Sequence, residues 1–384
     1  MANATVRHIS RVGVLRSAAA LAAGVLVLAG CGANASAGSS SASGPAPAPA
    51  ESKGTIGVIL PETATSARWE AFDKPFLADA LSRAGFTANI QNAQGDVQKF
   101  AGLADGMIAS GVKALIIASP NAQVGATVEQ KAKQAGIPTI DYDRLNTGGS
   151  ADYYVTFDNV KVGVLQANAL VAALKDKPAA EVIQIEGAPD ENNANLFHQG
   201  QMSVLDPLYK SGQLKLVRDQ FIPDWNNQLG GTTFEQILTA NGSKVDGVVA
   251  ANDGMAGAVI TVLQKNGLNG KVPVTGQDAT LAGLQSILRG DQSMTVFKAI
   301  KLEADAAAKL AALAAVGDTA GADTYAKQQS VDPKSGRNIK SVLLDPEVVD
   351  KSSVKKVVDA GYVTAAQLCT TDLATVCRSL GITS

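Results

Sequence analysis

Ala114-Leu115-Ile116-Ile117-Ala118 and Gly247-Val248-Val249-Ala250-Ala251 are short apolar runs with no polar residue at alternate positions. A strand with one solvated face alternates, so unbroken runs read as strands buried on both faces, as in parallel sheets covered by helices. Four more segments read as strands: Thr55 to Leu60, Pro138 to Tyr142, Glu181 to Glu186 and Pro273 to Gly276. Between them lie stretches of helical periodicity: Trp69 to Ala84, Val97 to Ser110, Ala122 to Ala135, Val160 to Leu174, Ala194 to Tyr209, Met255 to Asn266 and Leu281 to Arg289. Such alternation predicts an α/β fold with parallel sheets built from βαβ units.

Gly85, Gly111, Gly136 and Gly267 each follow a helical stretch, where a C-terminal cap takes positive φ. Polar clusters sit at the opposite ends, directly after strands: Asp141 to Asn146, Pro189 to Asn193, Asn252-Asp253 and Gln277-Asp278. Open α/β sheets bind ligands outside the carboxyl ends of their strands, so the candidate chemistry converges on one rim.

Ahead of this pattern, Arg7, Arg11 and Arg16 form a basic region, and Ser17 to Gly30 an apolar run ending in Leu28-Ala29-Gly30-Cys31. The run is too short to cross a hydrocarbon core of about 30 Å and reads as a secretory leader. Gly32 to Ser52 is almost entirely Ala, Ser, Gly and Pro, a composition that builds no core and behaves as a flexible tether. The remainder exceeds one ordinary core and suits two domains. Lys and Arg number 33 against 35 Asp and Glu, and without the three leader arginines 30 against 35, a net charge of about −5. That excludes a polyanion or nucleic-acid binder. Cys369 and Cys377, outside the cytoplasm, read as a small disulfide loop pinning the tail, the alternative being two free thiols. Closing so short a loop contributes about 2 to 4 kcal/mol by the chain-entropy model.

Catalytic signatures are missing. The chain holds no Gly-x-Ser-x-Gly elbow, phosphate loop, Gly-x-Gly-x-x-Gly or His-Glu-x-x-His. Its two histidines are His8, in the leader, and His198, whose helical segment suits a surface or capping role better than a base. No cluster has metal-ligand spacing, and no cofactor motif is present. The strand ends instead offer carboxylates, planar amides, guanidinium and indole. Sugar hydroxyls, which both donate and accept, are satisfied by Asp, Asn, Arg and Lys, and the C–H faces of a pyranose lie against aromatic rings. Trp69 and Trp225 are the only tryptophans and both stand at polar junctions, where core packing is the competing explanation. Asp143-Arg144 could equally be a surface ion pair worth under about 1 kcal/mol.

Taken in order, these residues resemble the type I periplasmic sugar-binding proteins of ABC importers, and within them the D-xylose-binding branch. The resemblance runs from Thr55 to about Cys369. It rests on Tyr142-Asp143-Arg144, Phe157-Asp158-Asn159-x-x-Val162-Gly163, Asn192-Asn193-Ala194-x-Leu196-Phe197, Asn252-Asp253, Gly276-Gln277-Asp278-Ala279 and Met294-Thr295-Val296-Phe297-Lys298. It implies two Rossmann-like lobes joined by a three-segment hinge, with a monosaccharide in the cleft. Residues 54–158 with 296–322 would form the first lobe, and 159–295 with 323–384 the second. Arg68 would reach a hydroxyl and Trp69 stack on the ring, and Asp143 and Arg144 would bind adjacent hydroxyls. Glu191, Asn193, Asn252 and Asp278 would complete the hydrogen bonds from the second lobe, with Trp225 as the opposing plate and Lys298 as a charged donor. At Glu191 the xylose branch carries the shorter Asp, which bears on which hydroxyl is met. The leader similarly resembles a bacterial lipoprotein signal, residues 1–30 being removed, Cys31 lipidated and 31–53 left as the tether.

The resemblance thus implies a monomeric, non-enzymatic receptor, anchored to the membrane through Cys31, delivering D-xylose or a related sugar to an ABC permease. A receptor presenting sugar to a membrane sensor shares every one of these features. A carbohydrate-active enzyme would need paired carboxyls about 5 or 6.5 to 9.5 Å apart, one with a raised pKa, and Asp143 beside a guanidinium is expected to shift the other way. A DNA-binding regulator would need a helix-turn-helix where the leader and tether stand.

Overall fold

The computed structural model describes residues 52–383. The leader, Cys31 and the tether through residue 51 lie outside the described residues. In chain order the strands are β1 (Thr55–Leu60), β2 (Thr87–Asn92), β3 (Leu115–Ile117), β4 (Thr139–Tyr142), β5 (Tyr153–Phe157), β6 (Ala180–Glu186), β7 (Leu214–Phe221), β8 (Gly247–Ala250), β9 (Met294–Phe297), β10 (Gln328–Val331), β11 (Asn338–Leu344) and β12 (Glu347–Asp350). The main helices are α1 (Lys74–Arg83), α2 (Val97–Ala109), α3 (Ala122–Gln134), α4 (Asn159–Ala173), α5 (Asn192–Lys210), α6 (Asn227–Ala240), α7 (Asp253–Lys265), α8 (Leu281–Arg289), α9 (Ile300–Ala315) and α10 (Thr319–Tyr325).

Two parallel-sheet lobes result, as the apolar runs led one to expect. The first sheet has the order β10-β11-β5-β4-β3-β1-β2, parallel except for β10, and the second is built on β7-β6-β8, all parallel. The two quoted runs are the buried strands β3 and β8, with Ile116 opposite Val58 and Val248 opposite Ile183. Helix α9 seals the first sheet through an alanine face, Ala304, Ala307, Ala308 and Ala311, whose small side chains let the helix lie close. Burial of these faces is the main stabilising term, at about 25 cal/mol per Å² of apolar surface.

Three connections cross between the lobes: Phe157 to Asn159, Phe297 to Ile300 and Leu344 to Glu347. They correct the expected boundaries. Residues 323–344 belong to the first lobe, not the second, because β11 pairs in parallel with β5 (Val342 opposite Val155) and β10 completes that edge. Residues 296 and 297 belong to the second lobe, where β9 pairs with β12 and Val296 bridges Gln277. Ser52 and Lys53, assigned to the tether, are already docked: Lys53 N donates to Gly85 O at 2.9 Å.

Other departures are local. Pro273 to Gly276 forms no ladder, only a bridge at Val274 beside Val248, since Pro273 brings no N–H. The helix expected from Trp69 begins as a π-turn, Trp69–Asp73, whose Lys74 N donates to Trp69 O, before α1. Pro75 lacks the N–H that an α-helical turn would use there. Cys369 and Cys377 are disulfide-bonded and pack, with Leu368 and Leu373, in a cluster that also holds Phe297 and Ile300 of a crossing segment. His198 lies outside the cleft lining, its Nε2 2.7 Å from Asp219 Oδ2.

Candidate ligand-binding site

All ten side chains expected at the site line one cleft between the lobes: Arg68, Trp69, Asp143, Arg144, Glu191, Asn193, Trp225, Asn252, Asp278 and Lys298. Eight of them follow the carboxyl end of a strand, Arg68 and Trp69 after β1, Asp143 and Arg144 after β4, Glu191 after β6, Trp225 after β7, Asn252 after β8 and Lys298 after β9, while Asn193 stands in the first turn of α5 and Asp278 next to the bridge of Gln277 to Val296. Thr65, Ser66, Phe197 and Gln277 complete the lining. The last two stood inside sequence motifs without being singled out, whereas nothing local marks Thr65 or Ser66.

Asp143 is the centre of the network. Its Oδ2 accepts from Arg68 Nη1 at 2.7 Å and Lys298 Nζ at 3.2 Å, and its Oδ1 from Asn193 Nδ2 at 3.2 Å. Its backbone oxygen accepts from Asn193 Nδ2, Tyr154 OH and Thr156 Oγ1. Burial alone would raise its pKa, but Arg68, Lys298 and Arg144 outweigh it and hold the carboxyl well below the usual range. The sequence neighbour Arg144 is not its ion-pair partner. Arg144 Nη1 instead donates to Ser119 O at 3.1 Å and its guanidinium lies 5.3 Å from the Trp69 ring centre.

Arg68 is held more tightly than a hydroxyl-seeking residue needs to be. Its Nε and Nη2 donate to the two Asp73 oxygens at 2.9 and 2.7 Å, Nη2 also to Glu303 Oε2 at 2.9 Å, and the guanidinium stacks 4.5 Å from the Trp69 ring centre. Of five N–H donors it therefore has one left for a ligand. Asp73 and Glu303 could not be read from sequence, because Glu303 sits 235 positions away from Arg68 on α9. Burial pushes the Glu303 and Glu191 carboxyls up.

Two further side chains are partly committed: Glu191 Oε1 accepts from Asn193 N at 2.9 Å, capping α5, and Asn252 Oδ1 from Met255 N at 2.9 Å, capping α7. Unpartnered and buried at the cleft are Trp69 Nε1, Trp225 Nε1 and Gln277 Oε1, two donors and one acceptor. Trp225 meets Phe197 edge-on, ring centres 6.4 Å apart. Asp143, Trp225 and Asp278 all take positive φ, at 61°, 54° and 96°. Backbone strain of about 1 to 3 kcal/mol per residue is tolerated mainly where function demands it.

The lobes are closed. Asn193 reaches across to Asp143, Ser66 Oγ lies 3.4 Å from Asp278 Oδ2, and Asn227 Nδ2 donates to Thr65 O at 3.1 Å. Among the described residues, no group of three or more His, Cys, Asp or Glu is placed to hold a metal ion, and no helix is long and apolar enough to cross a membrane.

Residues 56–319 match the model of a periplasmic binding protein domain. The chain is 39% identical over 291 residues to a D-xylose-binding periplasmic protein of Escherichia coli, covering 76% of this chain and 85% of that one. It is 36% identical over 337 residues to a multiple sugar-binding periplasmic receptor, ChvE, of Rhizobium radiobacter, covering 82% and 92%. Among solved structures it resembles an ABC transporter solute-binding protein of Clostridium phytofermentans with bound β-D-glucose, at TM-score 0.74 and 30% identity, covering 82% and 99%.

Proposed function

The chain belongs to the periplasmic binding protein family, as a sugar-binding protein of ABC type, and from that premise we propose that it captures D-xylose and delivers it to a membrane permease, tethered by a lipidated Cys31. The observation that carries this reading is the convergence of a hydrogen-bonded polar network and two buried indoles on one interlobe cleft. Each lobe supplies part of the set, Arg68, Trp69, Asp143 and Arg144 from the first, Glu191, Asn193, Trp225, Asn252 and Asp278 from the second. A sugar touching both lobes binds the closed state better than the open one and shifts the population toward closure. A pentose has about ten heavy atoms, so micromolar affinity, about −8 kcal/mol, asks about −0.8 kcal/mol per atom, within the ceiling for small ligands. Relatives and fold are those of solute-binding proteins, and the depressed Asp143 does not resemble a catalytic acid.

Calorimetric titration with D-xylose, D-glucose, D-ribose and L-arabinose tests the ligand. Saturable binding with D-xylose tightest is the expected result, accompanied by a saturable change in tryptophan fluorescence from Trp69 and Trp225. Comparable affinities across the panel favour a broader receptor, a reading supported by the 36% identity to a multiple-sugar receptor and by Glu191. Absence of binding to every monosaccharide overturns both.

Attachment is tested separately. Cys31→Ser is expected to move the protein from the membrane fraction to the soluble fraction with sugar affinity unchanged, since two acyl chains at about 0.8 kcal/mol per buried CH₂ suffice for stable anchoring. Unchanged membrane retention overturns the lipid anchor.

A further inference from the structure

The loop that presents Asp143 and Arg144 begins at β4 and is fastened at its far side by two carboxyls with no exposed surface, Asp141 on β4 and Glu129 on α3. Asp141 Oδ2 accepts from Asn146 N at 2.8 Å and its Oδ1 from Asn146 Nδ2 at 2.7 Å. Glu129 Oε2 accepts from Ala151 N at 2.7 Å and from Ser150 N. The two carboxyls lie within hydrogen-bonding reach of each other, yet Glu129 Oε1 is buried without a partner. The packing leaves no slack: a Cβ on Gly149 would sit 2.2 Å from Glu129 Oε2, and one on Gly125 1.9 Å from Asn146 Oδ1.

Every hydrogen bond to this pair comes from an amide. The charged groups around it are otherwise engaged. Arg144 donates to Ser119 O and Arg337 to Ala151 O, Asp332 accepts from Gly148 N and Asp152 from Thr139 N, and Lys131 pairs with Asp105. Two adjacent ionised carboxylates with no exposed surface and only amide donors around them are prohibitively costly, so one must be neutral. A single proton settles the arrangement, because a protonated carboxyl donates to its neighbour and gives Glu129 Oε1 a partner.

We propose that Glu129 and Asp141 share one proton taken from solvent on folding, and that this pair is the positioning device for the loop carrying Asp143 and Arg144. Burial, the largest cause, raises both carboxyls, opposed by the amide hydrogen bonds. A folded-state pKa above the unfolded value of about 4 means that the native state keeps a proton the unfolded chain has lost, so stability falls as pH rises between the two values. Glu129→Gln needs no proton: its amide donates to Asp141 and its carbonyl accepts from Ser150 and Ala151.

The first readout is the unfolding equilibrium of the mature chain without sugar, from pH 5 to 10, in wild type and Glu129→Gln. The expected result is that the folding constant of wild type falls relative to the variant by about tenfold per pH unit over at least one unit, the slope for one proton. A difference independent of pH overturns the shared proton. The second readout is affinity for the best sugar of the panel across the same range. Wild type is expected to weaken at least tenfold where the stability slope levels off and the pair ionises, while Glu129→Gln stays within about threefold. Parallel affinity profiles overturn the positioning role. This second consequence rests on the sugar-binding reading, whereas the first is read without any ligand, so the two failures are distinguishable.

Discussion

Asp143→Ala is expected to weaken sugar binding by a hundredfold or more, and Asp278→Ala similarly, while Lys131→Ala changes it by less than about threefold. Asp143 is the one group that Arg68 Nη1, Lys298 Nζ and Asn193 Nδ2 all meet, from both lobes. Its removal takes acceptors from the ligand and one partner from each of two cations that are 2% exposed, leaving Arg68 to Asp73 and Glu303 and Lys298 to Asp278. Hydrogen bonds to charged groups contribute about 1.5 to 3 kcal/mol each, so the loss of one or two of them to the ligand corresponds to about 2.8 kcal/mol, a hundredfold. Asp278→Ala leaves Lys298, at 3.5 Å, Gln277 Nε2, at 2.8 Å, and Ser66 in the same position. Lys131 only bridges to Asp105 on the surface, a pair worth under about 1 kcal/mol. Calorimetric titration of the three variants, with folding followed by circular dichroism, is the measurement. If both aspartate variants are folded and bind like the control, the residue assignments are wrong although the fold is not. The depressed Asp143 carboxyl also sets a sign: its stabilising contribution is complete above its unfolded pKa of about 3.9 and is lost only as pH falls toward its lower folded value.

Gly163→Ala is expected to destabilise the protein by about 3 kcal/mol. Helices α4 and α5 cross so closely that a Cβ on Gly163 would lie 1.9 Å from Phe197 O and 2.8 Å from Gln201 N, and one on Gly200 2.0 Å from Val160 O. These are backbone atoms in helices on both sides, so no side chain can rotate away. Relief requires the helices to separate, opening the polar seam in which Gln201 Nε2 donates to Gln166 Oε1 at 2.9 Å. Overpacking of this kind costs about 1 to 3 kcal/mol or more. Gly257→Ala is the contrasting case, an exposed position inside α7 with nothing within 4 Å, where relief of backbone entropy is expected to raise stability by up to about 1 kcal/mol. Thermal and urea unfolding of both variants check the pair of values. A Gly163→Ala protein as stable as Gly257→Ala contradicts the close helix contact.

The parts of this molecule legible from its amino acids are those governed by local pattern. Unbroken apolar runs such as Ala114 to Ala118 declare doubly covered strands, glycines such as Gly136 and Gly267 close helices, and polar clusters after strands mark the binding rim. These signals are written within a few residues, because pleat, helical turn and cap are short-range geometry. Strands with exposed or mixed faces were less legible: β2, with its exposed alternate residues, and β10 and β11, which complete the first sheet only after the chain has visited the second lobe. The lobe to which 323–344 belongs is decided by pairing with β5, nearly 190 residues earlier in the chain, and no local pattern encodes a partner so distant. The same distinction runs through the site. Residue type and order pointed to Asp143, Asn193 and Asp278, but Arg144, adjacent to Asp143 in sequence, is not its ion-pair partner, whereas Arg68 and Lys298 are, from 75 and 155 positions away. The anchoring of Arg68 by Glu303 and the burial of Glu129 against Asp141 exist only once the first lobe is assembled. Charge and hydrogen bonding act through space, and it is the folded chain that brings these groups within reach of one another.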